Sequence, residues 1–154
     1  MNLEIFERCV DFLDLVENGK DGTEEDNIQY LASLLNVLTT FVAKSNYDFD
    51  DSAPEYTGIP YDMRRSLAEK RFPSFGYYNT VAPISEDIGA GEVQVGDAID
   101  DVADIYGDLH EVVWLHHKGF DNAAYFAFDR NWTSHWGMHC RELQLYIHAS
   151  ENGI

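Results

Sequence analysis

His135 and His139, one helical turn apart, and the acids Asp97, Asp100, Asp101, Asp104, Asp108 and Glu111 are the residues whose types and spacing could do chemistry. At about 100° per residue the six carboxylates fall within an arc of roughly 100° on one helix. No Lys or Arg lies between Arg71 and Lys118 to neutralise them. Like charges at i,i+4 destabilise a helix by a few tenths of a kcal/mol per pair, so the stripe calls for water, a cation or a basic partner. An H-x-x-x-H pair binds zinc or another transition metal when a carboxylate completes the set. Asp101, Asp104, Asp108, His135 and His139 are therefore the candidate ligands for a divalent ion such as Zn, Mn or Mg. With Asp100 they form a polar site expected between two consecutive antiparallel helices. Trp136 stands where an H-E-x-x-H metalloprotease carries its catalytic Glu, so that motif is absent. Imidazoles satisfied by aspartates or a backbone carbonyl, with no metal, are the simpler reading.

The helix carrying the acids has an opposite face of Val95, Ala98, Ile99, Val102, Ile105, Tyr106, Leu109, Val112 and Val113. A helix so built turns its acids to solvent, with Asp101 and Asp108 at the border able to reach inward. His135 and His139 share a face with Phe128, Trp132, Leu143 and Tyr146, so both rings are expected on the buried side. Each then needs a partner, because an unmet buried polar group costs about 1–3 kcal/mol. Gly137 between them weakens a helix by about 1 kcal/mol relative to Ala, which points to close approach of another backbone or a ligand. Tyr77, Tyr78, Trp114, Trp132 and Trp136 are expected mainly in the core, with Tyr78, Trp132 and Trp136 as candidates to line the polar site. His116 and His117 close a helix whose dipole favours them. Arg64, Arg65, Lys70 and Arg71 are four of only ten basic residues. They dock on the acidic stripe or form a small anion-binding spot, and the first is the simpler.

Five helices must position these groups. Residues 3–18 form an amphipathic helix stopped at Gly19. Thr23 with Asp26 is a near capping box for a second helix over 24–44. Residues 45–60 read as a loop, and 62–72 as a short helix. Counting an EF-hand from Asp48 puts Ala53 at the required glycine and Ile59 at the bidentate Glu, which excludes it. Residues 72–96 read as ordered but irregular, rich in aromatics, Pro and Gly, with 92–95 the only alternating piece. Two long helices follow over 97–117 and 122–150, the second capped by Asp121. The expectation is an all-α, single-domain bundle of about five helices across 1–154.

At 154 residues and 45% hydrophobic content the chain supports a packed core. A net charge of −18 excludes nucleic-acid binding through phosphates and disfavours anionic membranes. Residues 1–20 lack a signal-peptide pattern, and no apolar run approaches the ~20 residues of a span. Cys9 and Cys140 match no metal or redox spacing and read as reduced, buried thiols of a cytoplasmic protein. Asn131-Trp132-Thr133 is a glycosylation sequon in form only, being mid-helix.

Tyr77-Tyr78-Asn79-Thr80-Val81-Ala82-Pro83, then Asp100-Asp101-Val102-Ala103-Asp104-Ile105-Tyr106-Gly107-Asp108-Leu109, then His135-Trp136-Gly137-Met138-His139, resembles the bacterial DUF5063 family of unknown function over about residues 75–149. The aromatic segment departs from the family form, with Tyr78 in place of a Trp and Ala82 before the Pro. The family brings no activity with it. What the resemblance implies is a pairing of Asp100, Asp101, Asp104 and Asp108 on one helix with His135 and His139 on the next.

Three functions follow as expectations. The first is a small acidic binding protein, not an enzyme, that presents its acidic face to a basic protein such as a toxin nuclease. The second is a divalent-metal-dependent hydrolase using the Asp/His cluster to activate water. The third is a cluster that is purely structural.

Overall fold

The computed structural model describes residues 3–42, 47, 49–82, 84 and 86–154. Asp48, Pro83 and the expected end of the second helix at Lys44 lie outside the described residues. Helix α1 (Glu4–Glu17) buries Phe6, Cys9, Phe12, Leu13 and Val16, a 3–4 residue spacing that yields one apolar stripe. It stops where Gly19, at φ +76°, donates its N–H to Leu15 O at 2.9 Å. Helix α2 (Glu24–Thr40) starts on a complete capping box: Thr23 Oγ1 accepts the Asp26 N–H, and Asp26 accepts the Thr23 N–H at 2.7 Å. Helix α3 spans Tyr61–Arg71.

Helix α4 (Ala98–His117) is the axis of the bundle, packing against α1, α3 and the C-terminal helices. Val102, Ile105, Leu109 and Val112 are fully buried along it. Helix α5 (Asp121–Asn131) leads through a π-helical turn (Trp132–Trp136) into α6 (Gly137–Asn152). The expected rod over 122–150 is thus one path with a widened turn in the middle. Asp121 does not cap α5; it accepts from His116 Nδ1 at 2.7 Å, while His116 stacks on Phe6.

The segment expected to be irregular contains a β-hairpin. Strand β1 (Tyr77–Ala82) pairs antiparallel with β2 (Glu92–Asp97), Tyr77 opposite Asp97 and Val81 opposite Val93. Val95, assigned from sequence to the buried face of α4, sits on β2 at 73% exposure, and Tyr77 is equally exposed rather than core. The outer face of the hairpin carries apolar side chains, which erased the inside–outside alternation a strand reading depends on. No described helix is long and apolar enough to cross a membrane. Cys9 and Cys140 are free and buried.

Candidate functional site

Helix α4 supplies the acids, and every member of the stripe has a partner inside the fold. Asp97 caps α4, accepting from Ile99 N at 3.0 Å, and pairs with Arg65 at 2.9 Å. Asp100 accepts from the Tyr61 hydroxyl and makes no bond to either imidazole. Glu111 accepts from Arg130 and Asn131. The stripe therefore meets α3, α5, the π turn and α6 instead of standing free in water. Two of the four clustered bases, Arg64 and Arg65, dock on it as expected. Arg71 lies over Gly19 and reaches Glu17 O at 3.4 Å.

The remaining three acids meet the imidazoles. His139 Nδ1 lies 2.7 Å from Asp101 Oδ1, and His135 Nδ1 lies 2.8 Å from Asp108 Oδ2. An ionised carboxylate only accepts, so each Nδ1 carries the hydrogen and each Nε2 keeps its lone pair when the ring is neutral. Both Nε2 atoms then face the same oxygen, Asp104 Oδ2, at 3.5 Å from His139 and 3.7 Å from His135. Those separations are too long for hydrogen bonds. An ion with bonds of about 2.0–2.1 Å at tetrahedral angles holds its ligand atoms about 3.3 Å apart, a few tenths of an ångström tighter. The ligand atoms of Asp104, His135 and His139 all lie within 4.8 Å of one another. Asp104 is aimed by Arg64, whose Nη1 donates to the other carboxylate oxygen at 3.3 Å.

Burial sets the electrostatics. Asp101 is 3% exposed, and burial pushes its carboxyl above the ordinary range while its bonds from His139 and Tyr78 pull it back. Asp108 is raised by burial in the same way, opposed by His135. The His139 imidazole is held above its usual value by its bond to Asp101, partly offset by its own burial. Tyr78, expected to line the site, stands one bond further out, donating to Asp101 Oδ2 at 2.5 Å. Its ring lies over Gly96, where a side chain on β2 would collide with it.

The π turn explains where the imidazoles sit. Gly137 donates its N–H to Trp132 O, five residues back, so the extra residue shifts the register of α6. Its core face becomes Trp136, Cys140, Leu143 and Ile147. His135 and His139 flank that face, the first 45% and the second 22% exposed at the side chain, and are not enclosed as expected. Trp136 is buried, its Nε1 donating to Phe128 O, and does not line the site. Trp132 packs against Trp136 and under Arg141. The close approach at Gly137 is to the chain's own backbone, since an ideal Cβ would lie 2.3 Å from Trp132 O. Tyr61 was missed by sequence reasoning, having no spacing signal; Arg64 could be anticipated only as a member of a basic cluster.

No family model matches the chain, and no curated protein matches it. The chain is similar to the crystal structure of protein BF1032 from Bacteroides fragilis, with a TM-score of 0.72 at 16% identity. The match covers 96% of this chain and 90% of that one. At that identity the likeness shows the helical fold alone.

Proposed function

We propose that His135 Nε2, His139 Nε2 and Asp104 Oδ2 bind one divalent transition-metal ion, and that the protein is a metal-dependent hydrolase. One observation carries this reading: both Nε2 lone pairs converge on a single carboxylate oxygen, while each Nδ1 is held by its own acid. An Asp–His–metal relay of that kind fixes ring orientation and raises ligand basicity. Two imidazoles and one carboxylate suit Zn or Mn better than Mg, which prefers oxygen ligands. Three protein ligands with a partly exposed side leave a position for water, the arrangement of a catalytic ion more than a structural one. Such an ion lowers the pKa of its water toward neutrality and supplies hydroxide.

The DUF5063 resemblance supports the same pairing of acids and imidazoles. Two free, buried thiols support a reducing compartment, and we place the protein in the cytoplasm. A docking role for the acidic stripe has less support, because its six carboxylates already have partners. The test is elemental analysis of protein purified without a metal-affinity column, with melting curves in added Zn²⁺ and Mn²⁺. One bound ion per chain and a stabilisation absent from His139→Asn support the site. No metal and equal melting of both proteins in every ion would remove it.

A further inference from the structure

Beyond the metal site, a groove of about 620 Å³ runs between β1 and α6, with Tyr78, Val81, Met138, Arg141, Leu145 and Ile154 among its walls. No β2 residue lines it, so it lies along the edge of β1 that β2 leaves free. Among the described residues, no hydrogen bond reaches the backbone of β1 from any element but β2. The edge therefore offers a row of main-chain donors and acceptors beside an apolar wall, and Leu145 and Met138 on that wall are exposed. A free strand edge facing a helix is complementary to one kind of ligand, an extended peptide. The new strand bonds to the edge, and alternate side chains drop toward the helix.

Charge gives the peptide a direction. Arg141 is a cation of the groove with no ion pair to any described carboxylate, held by Gln144 at 3.2 Å and stacked over Trp132. A guanidinium without an ion pair is complementary to a carboxylate, which it can hold through two parallel N–H bonds. The neighbouring groove acid Glu142 accepts from the Thr80 hydroxyl at 3.1 Å and keeps its charge, so without Arg141 the groove would repel a peptide carboxylate. We infer that the groove between β1 and α6 binds an extended apolar peptide as an added strand on β1, with a peptide carboxylate on Arg141.

The experiment uses the full chain stripped of metal, so that it stands apart from the fate of the metal site. The probe is a fluorescein-labelled pool of octapeptides with Val, Ile, Leu or Phe at alternate positions, Ser or Thr between, and a free terminal carboxylate. Saturable anisotropy is expected, weakened at least about tenfold when alternate peptide amides are N-methylated and strand bonds are lost. Leu145→Glu, at an exposed position, should abolish binding, and Arg141→Gln should weaken it. Amide exchange at residues 77–82 should slow on binding. No saturation at millimolar peptide, equal binding of the N-methylated pool, or an unaffected Leu145→Glu would overturn the inference. So would a dimer in which the β1 amides are already protected and which Leu145→Glu makes monomeric, because a second copy would then be the occupant.

Discussion

Gly137→Ala separates local propensity from the geometry of the π turn, because the two give opposite signs. On helix propensity alone, Ala in place of Gly stabilises by about 1 kcal/mol. Here the new methyl group would stand 2.3 Å from Trp132 O and 2.9 Å from Trp132 Cδ2. The carbonyl cannot swing away without losing the Gly137 N–H that closes the turn, and the indole is wedged against Trp136, ring centroids 4.6 Å apart. Overpacking costs about 1–3 kcal/mol, and a backbone collision belongs at the upper end. The net expectation is a loss of about 2 kcal/mol, or a Tm lower by about 4–8 °C for a chain of this size. Urea unfolding measures it as a lower midpoint at unchanged slope. A variant as stable as the parent, or more so, would refute the reasoning. It would mean that α5 and α6 run on as an ordinary helix with the imidazoles in another register.

Three further outcomes follow from named contacts. Asp108→Asn keeps the shape beside His135 but removes the charge, and should weaken Zn²⁺ binding about 10–100-fold with the fold intact; unchanged affinity by calorimetry would deny Asp108 its orienting role. His110, whose Nδ1 lies 2.7 Å from the Tyr56 hydroxyl, is held below its ordinary 6.5 by burial and by His117, against the pull of Glu17. The unfolded chain therefore takes its proton first as pH falls, so His110 contributes stability fully above about 6.5 and loses it progressively below. The stability difference between the parent and His110→Gln should shrink as pH drops from 7 to 5, and a constant or widening gap would contradict the sign. Thr23→Ala breaks the capping box of α2 and should cost about 1 kcal/mol in urea unfolding, against no change if that helix end is already frayed.

The helices were legible because each buries one stripe at 3–4 residue spacing, as Leu31, Leu35 and Leu38 do on α2. Capping chemistry was equally local: Thr23 and Asp26 meet as their types require. The hairpin was hidden because Val93 and Val95 point outward, 71% and 73% exposed, so the alternation read from sequence carried no sign of an inner face. The π turn has no composition signal beyond Gly137, and its extra residue moved Trp136 into the core and the imidazoles to its flank. The meeting of α4 aspartates with His135 and His139 was an expectation of residue type and of the DUF5063 resemblance, but which acid takes which ring, Asp101 with His139 and Asp108 with His135, is set by the packing. That Asp104 stands between the Nε2 atoms, and Asp100 turns to Tyr61, depends on α3, a partner no helical wheel of α4 contains.

Nitrogen-15 NMR of the histidine rings, before and after one equivalent of Zn²⁺, tests the metal site most directly. At a pH high enough to keep both rings neutral, given that His139 is held above its usual value, His135 and His139 should each show a protonated Nδ1 and a bare Nε2, and zinc should move both Nε2 resonances together and saturate at one ion per chain. Nε2 atoms that carry protons, or that stay in place while zinc is added, would mean the two rings serve only to satisfy their aspartates.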